Sequence, residues 1–340
     1  MSAWLADDPE DLEAVAEAVR AWAPYAVDSP LYSLYATRIA EDPELVEVVA
    51  GIRAAPPLNI LFAAVQLLLA PDEALAAWYP RLVGVARTPD DAAYEAFRDF
   101  VLGRRDDIAR LAATRRTQTN EVRRCAVLMP ALAHVAATER WEGPVHAIDI
   151  GASAGLCLLL DRLAYRYGDA VMGEGPLTVE AELRGGLPLP RAVPRLATRT
   201  GLDLSPVDVE DPDQAAWLEA LVWPEQGARL ARLRAAIALH RETAVTMVAG
   251  DATRTLLGIA AALPEGPLVL WHSIAVYQLT SEQQDALDDA VAQVARLRPT
   301  ARIAFEPSAH GGSDVRLGLR PREVAPVASA HHHGEWIAEP

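Results

Sequence analysis

The stretch HAIDIGASAGLCLLLDRLAYRYGD, residues 146–169, places the glycine-bearing turn Gly151–Gly155 between two apolar runs. The first run has the length of a buried strand, and the second predicts a helix over 156–165. A strand, a glycine turn and a helix in this order are typical of the first turn of a parallel α/β sheet. The same residues also match G-x-S-x-G, the nucleophile elbow of hydrolases, with Ser153 as the nucleophile.

Strand-like and helix-like segments alternate after this turn. Such alternation is typical of an α/β fold, in which a mostly parallel sheet binds ligands at the carboxyl ends of its strands. Weaker strand candidates lie near 176–183 and 199–204, and 314–321 is predicted to form a terminal hairpin with 323–330. The stronger predicted strands are VTMVAGDA (245–252), GPLVLWHSIAV (266–276) and TARIAFEPS (300–308), with helices ARLARLRAAIALHRE (228–242) and TSEQQDALDDAVAQVARL (280–297).

The segment before the turn has a different pattern, because residues 1–140 show helical periodicity almost throughout. Acidic residues and prolines that start helices separate apolar positions spaced by three and four. We therefore predict an N-terminal all-helical cap domain over 1–140 and a Rossmann-like α/β domain over 141–340. The proline- and glycine-rich stretch near 164–200 is predicted to be an insertion that lies over the active site.

The composition of the chain disfavours several classes of function. The formal net charge is −16, and all 31 basic residues are arginine, since lysine does not occur. This charge disfavours a nucleic-acid partner, and the lack of lysine excludes Schiff-base and P-loop chemistry. The longest apolar run is too short to span a bilayer, and two cysteines suit reduced thiols. We expect a cytoplasmic protein that acts on a small molecule, without membrane or metal, as a homodimer or with a partner subunit.

The nucleophile-elbow interpretation combines Ser153 with Asp251 and His272, which follow one another in the chain order of α/β-hydrolases. That fold places several strands and its oxyanion loop before the serine, whereas here the oxyanion-like His310-Gly311-Gly312 follows it. A dinucleotide site is also disfavoured, because the third small position of G-x-G-x-x-G is Leu156. A serine hydrolase using Ser153 is kept as an alternative.

Three aspartates favour another interpretation, in which the turn binds S-adenosylmethionine. Asp149 ends the first strand, Asp203 follows the next and Asp251 the one after that. They would face the ammonium group, the ribose hydroxyls and the adenine amine of the cofactor, in that order. Any one of them alone could instead cap a helix or form an Asx turn. Ser153 then caps a helix and takes no part in chemistry.

Five longer stretches carry a resemblance: QTNEVRRCAVLMPAL, IDIGASAGLCLLLDRLAYRYGD, GLDLSPVDVEDPDQAAWLEALVWPEQGARLARLRAAIAL, VAGDA and HHHGEWI. They resemble an uncharacterised bacterial family, domain of unknown function 2332. That family in turn resembles class I S-adenosylmethionine-dependent methyltransferases, which implies a Rossmann-like class I methyltransferase sheet. The chain departs from the family at Cys157, where asparagine is common, and at Arg123, where glycine is usual.

The resemblance also implies cofactor-binding residues. Asp149, Gly151, Ser153 and Gly155 match the first motif, Asp203 the ribose motif and Asp251 the adenine motif. We expect four neighbours to contact the cofactor as well, namely Asn120, Ala152, Leu204 and Ala252.

The expected activity is methyl transfer in secondary metabolism, with His272 at the end of its strand as general base. The alternative for His272 is a buried structural histidine. Glu121 and Arg124, in a polar segment before the first strand, are the other expected catalytic residues. His331–His333 is not expected to bind a metal, because adjacent side chains of an extended chain point apart. Two functional alternatives remain: a cyclisation or elimination that uses the sulfonium charge, and a cofactor-binding partner subunit.

Overall fold

The structure is a computed structural model that describes residues 10–308, 312–320 and 323–340. The chain divides into two compact units. The helical unit consists of Met1–Thr119 and Pro212–Ala231, and the sheet unit consists of Asn120–Asp211 and Arg232–Pro340. The first boundary between the units therefore follows Thr119, whereas we expected it at residue 140. A later segment, Pro212–Ala231, also belongs to the helical unit.

Over the residues that the structure describes, the secondary structure comprises helices α1–α12, strands β1–β12 and several short 3₁₀ helices. The helices are α1 Leu12–Trp22, α2 Pro30–Ile39, α3 Pro43–Ala50, α4 Pro57–Leu68, α5 Pro80–Val83, α6 Asp91–Gly103, α7 Arg105–Thr114, α8 Cys125–Thr138, α9 Pro212–Ala220, α10 Gly227–Arg241, α11 Ala252–Ala262 and α12 Ser281–Leu297. The 3₁₀ helices are Ala23–Tyr25, Ala74–Trp78, Val122–Arg124, Leu156–Arg162 and Val276–Gln278. The strands are β1 Val145–Ile150, β2 Ala164–Tyr167, β3 Ala170–Met172, β4 Thr178–Glu180, β5 Glu182–Arg184, β6 Leu196–Asp203, β7 Thr246–Ala249, β8 Leu268–Ser273, β9 Thr300–Pro307, β10 Ser313–Arg320, β11 Glu323–Ala330 and β12 Trp336–Ala338.

Short polar side chains start the helices of the helical unit. Asp11, Ser29, Asp42 and Asp90 accept backbone N–H groups at the first turns of α1, α2, α3 and α6. Each such cap satisfies a donor that the helix itself cannot pair, which is worth about 1 kcal/mol. The short polar residues that precede the apolar segments therefore mark where these helices begin.

Aromatic side chains fill the core of the helical unit. Tyr32 stacks on Phe62 and Tyr35 stacks on Phe97, with ring centroids 4.2 Å apart in both pairs. Trp22 meets Phe62 edge-on, with centroids 5.7 Å apart. Each pair adds about 0.5–1.5 kcal/mol beyond the burial of its surface, so these contacts fix α1, α2, α4 and α6 against one another.

The segment 212–231 completes the helical unit. Trp217 of α9 is buried in the core of that unit. The buried side chain of Gln66, on α4, donates from Nε2 to the carbonyls of Ala220 and Val222 at 2.8 and 2.7 Å. These tertiary bonds assign the segment to the helical unit, and helical periodicity alone cannot reveal them.

The sheet unit contains a nine-stranded sheet of order β5-β12-β11-β10-β9-β8-β1-β6-β7. The strands β9, β8, β1, β6 and β7 are mutually parallel. The expected terminal hairpin is present as the antiparallel pair of β10 and β11, and β10 also pairs with β9. The fold is thus mixed α/β with a large, mostly parallel central sheet, as the alternation of segments predicts.

The central strands β1 and β8 are buried along their whole length. On one face, Ile148 of β1 and Leu270 of β8 pack in one core with Leu256 of α11 and Leu287 and Val291 of α12. Strands covered on both faces read as continuous apolar runs, which is why these two segments are recognisable in the sequence.

The helix predicted over 156–165 is a 3₁₀ helix, Leu156–Arg162, that gives way to β2. Strand β2 pairs with β3 and β4 in a separate three-stranded sheet, which forms part of the stretch predicted as an insertion. The Tyr167 hydroxyl at the end of β2 donates to the Ala126 carbonyl of α8 at 2.5 Å. Pairing of β2 ends the helix early, and apolar periodicity gives no sign of that competition.

In the part of the chain that the structure describes, none of the helices combines the length and the apolar character needed to cross a membrane.

Gln66→Met should destabilise the protein, because it removes the donor from two buried carbonyls while keeping side-chain volume. An unsatisfied buried polar group costs about 1–3 kcal/mol, so we expect a loss of that size in the free energy of unfolding measured with urea. Gln293→Met is the matched control, since Gln293 is exposed on α12. Equal stability of the two variants would contradict the role of Gln66.

Candidate functional site

The carboxyl edge of the parallel strands brings polar residues together at the end of β1. Asp149 of β1 lies opposite Gly201 of β6 on one side and Trp271 of β8 on the other. Among the five mutually parallel strands, the next one after β1 in the chain is β6, which pairs with one side of β1, whereas the later strand β8 pairs with its other side. The strand order therefore reverses direction at β1. Ligands of open parallel sheets bind at the carboxyl ends of the strands where the order reverses, so this edge is the candidate site.

The glycine turn after β1 has an unusual backbone. Gly151, Ser153 and Gly155 have φ angles of 75°, 52° and 69°. The N–H of Gly151 donates to the carbonyl of Leu202 at 2.8 Å, which keeps the turn against β6. A Cβ atom on Gly151 would lie 2.5 Å from the Cβ of Ala275, so only glycine fits both the backbone and the space.

Two polar side chains hold this turn. Asp203 accepts the N–H of Ser153 with Oδ2 at 2.7 Å and the N–H of Ser205 with Oδ1 at 2.8 Å. Asn120 donates from Nδ2 to Ser153 Oγ at 2.9 Å and accepts the N–H of Ala154 with Oδ1 at 3.1 Å. Of the residues predicted to bind the cofactor, the structure therefore brings Asn120, Ser153 and Asp203 into one hydrogen-bonded group.

Asp149 is buried beside this group. Burial raises the pKa of Asp149 from its ordinary value of 3.8 to about 7. The indole of Trp271 and the guanidinium of Arg124 lower that pKa by smaller amounts, and the charge of Asp203 raises it further. The two carboxylates lie at the carboxyl ends of the paired strands β1 and β6.

Glu121 and Arg124 are also buried near this edge, and both are engaged. Arg232 donates to both carboxylate oxygens of Glu121 at 3.3 Å. Arg124 donates to the carbonyl of Ser273 at 2.9 Å and to that of His332 at 3.0 Å. Burial lowers the pKa of Arg124. These bonds give both residues positioning roles, fixing the segment that carries Asn120 next to the end of β8.

His272 lies at the end of β8 with both ring nitrogens bonded. Nδ1 is 2.5 Å from Oε1 of Glu306, and Nε2 accepts from Nε of Arg302 at 3.0 Å. Burial lowers the pKa of His272. In this arrangement the lone pair of Nε2 already accepts a hydrogen bond from Arg302, as a buried structural histidine would. The role of His272 as general base stays a prediction.

Glu306 also controls the loop after β8. Its carboxylate accepts the N–H groups of Ala275 at 3.1 Å, Val276 at 3.0 Å and Tyr277 at 3.3 Å. Ile274, just before them, has a φ angle of 54°. A β-branched residue with positive φ is strained, and such strain persists only where the surroundings impose it. Here the three bonds to Glu306 impose it, beside the glycine turn.

Asp251 makes its side-chain hydrogen bonds at the first turn of α11. Its side chain caps α11 by accepting the N–H and the hydroxyl of Thr253 at 2.9 and 2.8 Å, and it is exposed. It follows β7, which pairs with β6 so that Asp203 lies opposite Ala249. Asp251 therefore shares the sheet edge, and its cap is the structural alternative that the sequence left open.

The three residues of the hydrolase alternative each make a side-chain hydrogen bond to a different partner. Ser153 bonds to Asn120, Asp251 to Thr253 and His272 to Glu306. The oxyanion-like His310-Gly311 lies outside the described residues. Among the residues that are described, no three histidine, cysteine or carboxylate side chains are grouped to hold a metal ion.

Comparison with known proteins identifies the family. A family model described as "Uncharacterized protein conserved in bacteria (DUF2332)" matches residues 16–339. The chain belongs to the DUF2332 family. No curated protein matches the sequence. The family prediction from sequence is confirmed, and the match of DUF2332 extends over parts of both units. The likeness of this family to methyltransferases stays a prediction.

Two residues of the site in this DUF2332 chain, Glu306 and Arg302, are not among those predicted from the sequence. Both lie on β9, and Arg302 also donates to Asp288 of α12 at 2.5 Å. The available signal was a carboxylate in "AFEPS" at the carboxyl end of a predicted strand, the same pattern that singled out Asp149.

Gly151→Ala should destabilise this DUF2332 protein more than Gly84→Ala does. Gly84 has a φ of 72° and open space around its Cα, so its substitution tests the backbone strain alone. Gly151 adds the collision with Ala275, and overpacking of this kind costs about 1–3 kcal/mol. Urea unfolding of the two variants measures the difference. Equal losses would show that Ala275 does not approach the turn.

The raised pKa of Asp149 predicts a pH dependence of stability. Between about pH 4 and pH 7 the folded state binds a proton that the unfolded state releases, so stability should fall as pH rises through this window. The total effect is on the order of 4 kcal/mol. Asp149→Asn should remove it, and Asp285→Asn, at an exposed position, should retain it. Unfolding at pH 4.5, 6 and 8 tests this, and parallel profiles for all three proteins would contradict it.

Proposed function

We propose that the protein binds S-adenosylmethionine at the carboxyl edge of β1, β6 and β7 and transfers its methyl group to a small molecule. The observation that carries the proposal is the pair of carboxylates, Asp149 and Asp203, at neighbouring strand tips under a glycine turn. The order of the parallel strands, with β1 between β6 and β8, is the order we expect of a Rossmann-like methyltransferase sheet, and it supports the same proposal.

The residues fit this cofactor. Asp149 is a buried carboxyl whose proton an incoming ammonium group would displace, because a nearby cation favours the carboxylate. Each oxygen of Asp203 accepts one N–H, which leaves a lone pair on each for a ribose hydroxyl. Leu204 is 76% exposed beside Asp203, and an adenine ring would cover such a side chain. Asp251 and Ala252 would lie toward the adenine amine.

Bound S-adenosylmethionine would supply an electrophilic methyl carbon. The protein would then contribute mainly alignment and exclusion of water, since displacement at carbon depends on geometry. In this proposal His272, Glu121 and Arg124 position the site. The loop after β8, held by Glu306, would present the substrate to the cofactor. The net charge of −16 favours a neutral or cationic small molecule.

Calorimetry with S-adenosylmethionine and S-adenosylhomocysteine tests the proposal. At pH 6 we expect binding to release a proton from Asp149, so the measured heat should change between buffers of different ionisation enthalpy. Asp149→Asn should abolish that buffer dependence. The proposal fails if neither compound binds, and the assignment of the ammonium to Asp149 fails if binding is independent of the buffer.

Leu204→Ala should weaken binding of S-adenosylhomocysteine about tenfold, which corresponds to about 1.4 kcal/mol of lost apolar contact. The substitution removes an exposed side chain, so folding should be unaffected. Leu297→Ala, at a 55% exposed position on α12, is the matched control and should bind like the wild type. Unchanged affinity of the Leu204 variant would place the adenine elsewhere.

A further inference from the structure

The two cysteines of the chain lie side by side in the sheet unit. Cys125 begins α8, and Cys157 lies in the 3₁₀ helix Leu156–Arg162 after the glycine turn. The Cys125 thiol donates to the carbonyl of Cys157, with Sγ 3.5 Å from the oxygen. Both cysteines are free.

The surroundings of the two thiols differ. Cys125 is fully buried, whereas Cys157 is only half-buried. Burial raises the pKa of the Cys125 thiol, and the neighbouring Cys157 raises it further. Arg124, the residue just before Cys125, is buried and donates to the carbonyls of Ser273 and His332. A disulfide in solution can therefore reach the thiol of Cys157 but not that of Cys125.

We propose that Cys157 and Cys125 form a reversible modification site that reduces a disulfide oxidant and closes an intrachain disulfide. Cys157 is the attacking thiol, and Cys125 is the resolving thiol. This site is independent of the proposed cofactor and would operate in the protein without it.

The chemistry balances with oxidised glutathione as oxidant. The Cys157 thiolate attacks one sulfur of the glutathione disulfide, whose S–S bond breaks and releases one glutathione thiolate. Cys125 then loses its proton and attacks Cys157 Sγ, and the second glutathione leaves. Two electrons pass from the two cysteines to one glutathione disulfide, and their two protons go to the two glutathione thiolates.

The disulfide would join two segments that already share hydrogen bonds. The segment just before α8 carries Asn120, whose amide bonds to Ser153 and Ala154 of the glycine turn. Cys125 and Cys157 continue the same two segments. Oxidation would therefore fix covalently a contact on which the geometry of the turn depends.

The experiment treats the folded full-length chain with oxidised glutathione and follows its mass. The wild type should lose about 2 Da and give a peptide that links Cys125 to Cys157. Cys125→Ser should keep one glutathione on Cys157, because the resolving thiol is absent. Cys157→Ser should remain unmodified, because Cys125 is buried.

Three outcomes would overturn the proposal. They are a wild type that stops at a stable glutathione adduct, a Cys157→Ser variant modified as fast as Cys125→Ser, and a linkage that forms only in urea. Circular dichroism checks that the variants fold. The wild-type result needs no substitution, so it decides the matter if a variant misfolds.

Discussion

The carboxylate of Asp203 is the constraint on which the candidate site depends. Ser153 adopts positive φ within the glycine turn, and its N–H bonds to Asp203 at the tip of the neighbouring strand. This bond joins the turn after β1 to the end of β6. With the turn fixed, Gly151 can approach Ala275 closely, and the Ala154 N–H and Ser153 Oγ lie where Asn120 bonds to both. A single charged acceptor thus organises loops from three distant parts of the sequence.

A second charged acceptor, Glu306, holds the loop after β8 on the other side of β1. Glu306 takes three consecutive N–H groups and the ring of His272, and it holds Ile274 in a strained conformation. Charged acceptors make hydrogen bonds about twice as strong as neutral ones, so one carboxylate can stabilise a loop that has no regular structure. On both sides of β1, the loops at the edge of the sheet are therefore held by carboxylates that accept hydrogen bonds from backbone N–H groups.

The sequence predicts the parts of this fold that depend on local pattern. Apolar runs locate β1 and β8, alternation predicts the parallel sheet, and the terminal hairpin is found where expected. Local pattern does not predict which distant residue or strand a given residue or strand will pair with. His272 is a histidine at a strand tip, which suggested a base, but Arg302 occupies its Nε2. The helix expected at 156–165 is shortened because β2 finds partners in a second sheet.

The return of residues 212–231 to the helical unit affects how the chain can fold during synthesis. The helices α1–α7 leave the ribosome first, but Trp217 and the carbonyls that Gln66 requires are made only after the first strands of the sheet unit. Until residues 212–231 are made, the core of the helical unit lacks Trp217, and Gln66 lacks the two carbonyls to which it donates in the complete protein. Each unit consists of two separate segments of the chain, so during synthesis part of the sheet unit is made before the helical unit is complete. Neither unit corresponds to a continuous piece of the gene.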